Sequence, residues 1–279
     1  MNRYRELTIA DLAEKTAQKY SKTIRTNPEL IAHREGLTFS DGRYGDHFEA
    51  MIEYCKSEPD YPFHIYLNLD QIRHPESLRG RSSFGHELGH YFIPDHRKVL
   101  LSGKSLTYDH NYNYIENPVV EQEADCFSAN LLMPPTIFRE QAEKHRIVGL
   151  NSVLRLSNRF DTSMLSTALQ YVKMDFYPSV LIKWAADNRF QWHYMSGKFR
   201  RNIPDSFKFQ FNAQRPTSDC DLTTITFGNW KSTYGTTITN LSSWVYDIKP
   251  GSRKDMVLKE QTMPLGRYGG ISLLCPASY

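Results

Sequence analysis

Two histidines four residues apart, with a glutamate beside the first, form the part of this sequence whose chemistry is most specific. They lie in the segment HELGH at residues 86–90. On an α-helix, positions i and i+4 share one face one turn apart, so both imidazoles can bind a single metal ion. Glu87 then lies about 100° further around the helix, where it flanks the ion without ligating it. The spacing predicts a hydrolytic metal site with His86 and His90 as ligands and Glu87 as the general base.

A third protein ligand has to be found, because a catalytic zinc site usually has three and keeps one position for water. His96 lies six residues beyond His90, which is the spacing of the third histidine in metzincins. Metzincins turn after the motif helix at a glycine, whereas this chain has the β-branched Ile93 there, which resists a positive φ. We therefore favour Glu121 as the third ligand and expect His96 at the surface or beside a ligand.

The segment that contains Glu121 offers a partner for the metal ligands. Asp125 lies one turn after Glu121 on the same helix face, where it can accept the other ring N–H of a ligand histidine and fix its tautomer. Glu123 lies off that face and is expected in solvent, although it stays the first alternative to Glu121. Zinc is the expected metal, and manganese or another divalent ion could take the same ligands.

Segments whose hydrophobic residues recur at helix or strand spacing surround these residues. Before the motif we expect a helix over residues 8–25 and three short strands between residues 36 and 69. The motif helix should cover about residues 79–93 and end at Pro94. After a loop over residues 98–117, a helix should run from Pro118 to Pro134, with one more over residues 136–144. The buried stripe expected on the Pro118 helix is Val119, Ala124, Phe127, Leu131 and Leu132.

The later part of the chain changes in character. Residues 149–174 predict two short amphipathic helices around Phe160-Asp161-Thr162, and few basic side chains favour a plain hairpin over a DNA-reading helix-turn-helix. From about residue 176, short aromatic-rich strands predominate. The fold class expected is α+β. A zincin-like catalytic domain over residues 1–175, with a small sheet and two metal-binding helices, precedes a β-rich domain over residues 176–279.

The composition is that of an ordinary globular protein. Of the 279 residues, 40% are hydrophobic and 23% charged, which argues against disorder and fibrous structure. The formal net charge is only +3 and the basic residues are scattered, so direct nucleic-acid binding is not expected. The four cysteines are far apart, the first residues lack the apolar run of a secretory signal, and no stretch reaches about 18 apolar residues. We expect a cytoplasmic protein with free thiols and no membrane span.

Two motifs resemble those of the ImmA/IrrE family of cytoplasmic gluzincin-type metallopeptidases. HELGHYF at residues 86–92 is followed about thirty residues later by EQEADCFSANLLMP at residues 121–134. The motifs, their order and their separation agree with the family, and the resemblance covers roughly residues 60–175. Where the family often has alanine after the aromatic residue, this chain has Ser128, a small-for-small change.

The resemblance implies that His86, His90 and Glu121 bind zinc and that Glu87 is the general base. It also implies a role, because members of the family typically act in stress or mobile-element responses by cleaving or inactivating a helix-turn-helix repressor. The expected partner is therefore a protein substrate, a transcriptional repressor. Some members carry a sensor-like carboxy-terminal domain, to which the β-rich region after residue 175 could be similar.

Other functions stay open at this point. The metal could stabilise a module that binds or senses the same kind of partner without cutting it, or the site could hydrolyse something other than a peptide. Glu87 favours hydrolysis, since a purely structural site has no need of a carboxylate beside its first histidine. Side chains that could stabilise the oxyanion, or serve packing instead, are Tyr91, Tyr108, His110, Tyr112 and Tyr114.

Overall fold

The chain divides into two compact units. The computed structural model describes residues 1–21, 23–103, 118–144, 148–187, 189–203, 207–209, 235–247 and 256–278. Unit 1 comprises Met1–Gln141 and Asn158–Ser163, and unit 2 comprises Ala142–Ser157 and Met164–Tyr279. The boundary expected near residue 175 does not coincide with this division. That two domains which fold independently meet near residue 175 stays a prediction.

Unit 1 begins with a helix whose bounds are set by its cap. Helix α1 spans Arg3–Tyr20, because the Asn2 side chain accepts a hydrogen bond from the backbone N–H of Arg5 at 2.9 Å. The helix therefore starts and ends five residues earlier than the predicted 8–25. A short helix α2, Pro28–Arg34, follows and is capped by Asn27; its seven residues gave no periodic signal.

A three-stranded mixed sheet precedes the metal motif, as predicted. Its strands are β1 (Thr38–Gly42), β2 (Ala50–Tyr54) and β3 (Phe63–Asn68). Strand β3 is central, parallel to β1 and antiparallel to β2. Strand β2 is therefore an edge of the sheet. A short helix α3, Leu69–Ile72, connects the sheet to the motif helix.

The motif helix α4 spans Leu78–Phe92, and the Ser77 hydroxyl caps it by accepting from the N–H of Gly80 at 2.9 Å. Pro94 ends α4 as predicted, but it also starts helix α5, Pro94–Leu101. The expected loop over residues 98–117 is therefore wrong at its beginning. Proline fits the first turn of a helix, where its missing N–H would have no partner. The rest of that loop lies outside the described residues.

The second predicted metal helix is α6, Pro118–Leu132, and α7, Pro135–Lys144, follows it. Four residues of the expected buried stripe on α6 are buried, whereas Val119, at its first turn, is exposed. Helix α4 packs against α6, and α1 packs against α6 as well. The core of unit 1 is built from these helices and one face of the sheet, and includes Ile9, Ala13, Ile65, Phe84, Leu88 and Phe127.

The predicted hairpin consists of α8 (Leu150–Phe160) and α9 (Met164–Lys173). Between them Asp161 has φ 55°, a left-handed conformation that ends the first helix. The backbone N–H of Leu150 donates to the side-chain oxygen of Gln261 at 2.9 Å, so α8 begins on a residue of the unit 2 sheet. Helix α9 packs on strands β4 (Val180–Trp184) and β5 (Phe190–Met195) of that sheet.

Unit 2 is built around an antiparallel five-stranded sheet with the order β5-β4-β10-β9-β7. The remaining elements are β4 (Val180–Trp184), β5 (Phe190–Met195), α10 (Gly197–Arg201), β6 (Phe207–Phe209), β7 (Gly235–Asn240), β8 (Val245–Asp247), β9 (Val257–Pro264) and β10 (Gly270–Pro276). Strands β6 and β8 form a separate antiparallel pair. Trp184 and Trp244 are fully buried in the core of this unit.

Two strands of unit 2, β7 and β9, were not expected from the sequence. Both are rich in threonine and other polar residues, so they lack the aromatic and aliphatic runs that marked the other strands. The aromatic-rich segment LTTITFGNW at residues 222–230 predicts a further strand, and it lies outside the described residues. The α+β fold class is confirmed. Within the described ranges, no helix has the length and apolar character needed to cross a membrane.

Candidate metal centre

Helices α4 and α6 approach closely because α4 carries glycines on the facing side. A Cβ added at Gly89 would lie 3.0 Å from the Cα of Ala124 and 3.1 Å from its carbonyl oxygen. At the other end of the contact, a Cβ at Gly85 would lie 2.7 Å from the hydroxyl of Ser128. A residue without a side chain admits this approach. The approach brings Glu121, one turn before Ala124, to the face of α4 that carries both histidines.

The ligand atoms of the three predicted residues form a compact triangle. His86 Nε2 lies 3.1 Å from His90 Nε2 and 3.0 Å from Glu121 Oε2, and His90 Nε2 lies 3.7 Å from Glu121 Oε1. Tetrahedral zinc with ligands at about 2.05 Å holds such atoms roughly 3.3 Å apart. The donor set and its spacing therefore fit zinc. Among the described residues, this is the one group of three that could hold a metal ion.

Asp125 lies where the sequence predicted it, with Oδ1 2.9 Å from Nδ1 of His86. This contact leaves Nε2 of His86 facing the metal position. Burial acts to lower the pKa of His86, but hydrogen bonds to Asp125 and Glu121 outweigh it and raise the pKa to about 10. Burial lowers the pKa of His90 to about 2. Because a histidine has to be neutral to bind a metal, metal binding at this centre would be coupled to proton release from His86.

Glu87 is buried beside this triangle and is held by the edge strand of the sheet. Its Oε2 accepts a hydrogen bond from the backbone N–H of Ile52 in β2 at 2.9 Å. Burial raises the pKa of Glu87 to about 7, close to the value that suits a general base near neutral pH. The amide of Ile52 could not be found from the sequence, because a backbone donor leaves no residue-type signal.

His96 and Glu123 do not replace Glu121 in the triangle. His96 is buried beside a ligand, one of the two places expected for it, with Nδ1 3.1 Å from Nδ1 of His90. Glu123 was expected in solvent and is instead buried, with Oε2 3.1 Å from Nε2 of His96. The missed signal is Arg5, more than one hundred residues earlier, which forms two hydrogen bonds with the Glu123 carboxylate.

Of the five candidates for oxyanion stabilisation, one lies in the part of the chain that the structure describes and four lie outside it. Tyr91 is buried with its ring nearly perpendicular to that of Phe63, and its hydroxyl donates to Glu35 at 3.3 Å, so it is engaged in packing. The other four candidates, Tyr108, His110, Tyr112 and Tyr114, lie outside the described residues. An oxyanion donor from that segment stays a prediction.

The comparison with protein families matches the part of the chain that contains this centre. Residues 73–169 match the model of the peptidase M78 family, described as the IrrE N-terminal-like domain. Residues 73–169 are therefore similar to the IrrE N-terminal-like domain. The resemblance to the ImmA/IrrE family is thereby confirmed, and the matched segment is similar to a metallopeptidase domain. The matched segment contains His86, Glu87, His90, Glu121 and Asp125, but not helix α1.

Solved structures extend the likeness in fold beyond the IrrE N-terminal-like domain. A Mycobacterium tuberculosis transcriptional regulator matches with a TM-score of 0.61 and 12% sequence identity, over 97% of this chain and 76% of the regulator. At this identity the likeness concerns the fold alone. Among curated proteins, none matches the chain.

Proposed function

We propose that this protein is a zinc-dependent endopeptidase that hydrolyses a peptide bond in a regulatory protein. The observation that carries the proposal is the triangle of His86, His90 and Glu121 with the buried Glu87 beside it. A purely structural zinc site is closed by a fourth protein ligand and needs no adjacent base. The peptidase M78 match supports the same reaction class.

The chain's own residues have separate tasks in this reaction. His86 and His90 present Nε2, and Glu121 presents its carboxylate, to one ion. A zinc ion bound there would supply Lewis acidity, which activates water and polarises the scissile carbonyl. Glu87 takes a proton from the attacking water and passes it to the leaving amine. The amide of Ile52 keeps the second oxygen of Glu87 occupied, which orients the carboxylate.

The proposed substrate is a helix-turn-helix transcriptional repressor, cleaved during a stress or mobile-element response. This part of the proposal rests on the family resemblance of the two motifs. The carboxy-terminal unit would then respond to the signal that starts cleavage. A metal-stabilised module that binds the repressor without cutting it is the competing function.

The test uses the zinc-loaded protein and candidate repressors encoded near its own gene. We expect fragments that mass spectrometry detects with the wild type and that Glu87→Gln forms about 10²- to 10⁴-fold more slowly, because loss of a general base has that effect. Glu87→Gln should still bind one zinc ion, measured by native mass spectrometry. The matched control is Glu76→Gln, which changes an exposed glutamate just before α4 and should leave cleavage unchanged.

Two outcomes contradict hydrolysis. In the first, no repressor is cut although it binds, which indicates the binding module. In the second, Glu87→Gln binds zinc and cuts at the wild-type rate, which removes Glu87 from the reaction.

A further inference from the structure

A continuous line of contacts leads from the metal ligand His90 to the first turn of helix α1. Nδ1 of His90 lies 3.1 Å from Nδ1 of His96, and Nε2 of His96 lies 3.1 Å from Oε2 of Glu123. Arg5 then donates to both oxygens of Glu123, from Nε at 2.9 Å and from Nη2 at 2.6 Å. The Arg5 guanidinium also lies 3.3 Å from Asp95 at the start of α5. We call Arg5, Glu123 and His96 the relay.

The order of donors and acceptors along the relay follows from the chemistry of imidazole. A neutral imidazole carries one hydrogen, and the Nε2 of His90 that faces the metal position has to be the bare nitrogen. Its hydrogen is therefore on Nδ1, which donates to Nδ1 of His96. His96 then carries its hydrogen on Nε2 and donates it to Glu123. Arg5 completes the sequence, since a guanidinium can only donate.

The relay is buried where it meets the metal ligand and reaches solvent only at its far end. The exposed fraction of the side chain is 2% for His90, 3% for His96, 9% for Glu123 and 30% for Arg5. A buried ring nitrogen without a partner carries a full desolvation penalty, so each member needs the next. The other metal histidine differs, because Asp125, the partner of His86, is 76% exposed.

We propose that Arg5, Glu123 and His96 are positioning residues of the metal centre, which fix the tautomer and ring orientation of His90 from helix α1. The inference deepens the proposed function and rests on it, since it requires a metal at His86, His90 and Glu121. Arg5 lies outside the segment matched to the IrrE N-terminal-like domain. The metal centre therefore includes a residue that the matched domain does not contain.

The first test compares two substitutions of similar shape at one position. The Asn side-chain oxygen can occupy the place of the histidine Nδ1 and accept from His90, whereas leucine has nearly the same shape and no acceptor. We expect His96→Leu to weaken zinc binding about 10- to 100-fold, the usual effect of losing a partner of a metal ligand. His96→Asn should retain most of the affinity. Zinc affinity is measured by competition with a chromophoric chelator, and His33→Leu, at an exposed histidine of α2, is the control.

The second test acts at the exposed end of the relay, where folding is least at risk. Arg5→Met should weaken zinc binding in the same direction but less than His96→Leu, while the circular dichroism of the metal-free protein stays that of the wild type. Cobalt substitution adds a spectroscopic readout, because the visible absorption of bound cobalt reports its ligand geometry. We expect altered bands in His96→Leu and wild-type bands in His33→Leu.

The outcomes separate the relay from the proposed function. A wild type that binds no zinc overturns the proposed function itself. Equal loss of affinity in His96→Leu and His96→Asn means that the histidine only fills space, and it overturns the relay. Wild-type affinity in His96→Leu, or in Arg5→Met, overturns it as well. If His96→Leu does not fold, Arg5→Met and His96→Asn decide.

Discussion

The two units of the chain bury a cation in different ways. In unit 1, Arg81 of α4 has a side chain only 8% exposed, donates to the carbonyl of Thr26 at 2.9 Å and lies 3.4 Å from the carboxylate of Asp161. In unit 2, Lys183 of β4 is also buried, and its ammonium donates to the backbone carbonyls of Trp184 and Tyr268. Arg81 thus pairs with a charged carboxylate, whereas the Lys183 ammonium is hydrogen-bonded to the dipoles of backbone carbonyls.

The difference shows what buried charge does in each unit. In unit 1 the pairs join segments far apart in sequence, such as Arg5 with Glu123 and Arg81 with Asp161, and both pairs involve a helix of the metal centre. In unit 2 the Lys183 ammonium joins the carbonyl of the next residue on its own strand to that of Tyr268, in the turn just before β10, and β10 is already paired with β4. We infer that charge is a positioning device in unit 1, whereas the Lys183 ammonium adds little to a sheet that is already formed.

The largest effect on stability is expected from Arg81→Met. The variant leaves the Thr26 carbonyl without its buried donor and removes one of the two arginines that pair with Asp161, the other being Arg25. We therefore expect about 2–3 kcal/mol less free energy of unfolding. Urea denaturation of the metal-free protein measures it. Arg79→Met is the matched control on the same helix, because Arg79 pairs with Glu49 near the surface, and such pairs contribute about 0–1 kcal/mol. Equal losses in both variants would contradict the distinction between buried and exposed pairs.

A smaller effect on the free energy of unfolding is expected from a substitution where α4 packs against α6. Gly89→Ala places a methyl group against the backbone of Ala124, which cannot move aside as a side chain can, and should cost about 1–3 kcal/mol. Because the helices are pushed apart at the ligands, zinc affinity should fall as well. Urea denaturation and chelator competition measure the two effects.

Gly85 offers the matched control for this contact. A methyl group added at Gly85 would contact the Ser128 hydroxyl. It would lie 3.4 Å from the Ser128 Cβ, which is an ordinary van der Waals distance. Gly85→Ala combined with Ser128→Ala should therefore be more stable than Gly85→Ala alone. If Gly89→Ala binds zinc as well as the wild type does, the close approach is not what sets the ligand triangle.

The sequence predicted those features of the centre that follow from spacing within a helix. The His86 and His90 pair and the Glu121 and Asp125 pair are both i, i+4 patterns, and the structure brings all four residues together. The crossing of α4 and α6 was expected only in outline, since Gly89 marks a close contact solely once its neighbour is known.

Features that depend on distant partners could not be predicted in the same way. Glu123 looked solvated because its position was judged on its own helix, whereas its burial depends on Arg5 and His96. The same reason accounts for strand β9, whose polar residues are buried by neighbouring strands and not by their own apolar period. Tertiary context therefore decided what local pattern could not.

The smallest effect, and one of opposite sign, is expected from Lys183→Met. Burial lowers the pKa of Lys183 below the usual 10.5. Below the folded pKa both states are protonated, so the native protein carries the whole unfavourable burial of the ammonium. At neutral pH we therefore expect Lys183→Met to be equal to the wild type or more stable by up to about 1 kcal/mol.

The pH dependence of this difference tests the same comparison more sharply. As the pH rises from the folded pKa of Lys183 toward 10.5, the unfolded chain holds the proton more tightly than the native protein does. The wild type should therefore gain stability relative to Lys183→Met over that window, measured by urea denaturation at a series of pH values. A Lys183→Met variant that loses as much stability at pH 7 as Arg81→Met would show that two carbonyls hold a buried cation as firmly as a carboxylate does. The contrast between the units would then lie in what the cations connect, and no longer in how they are neutralised.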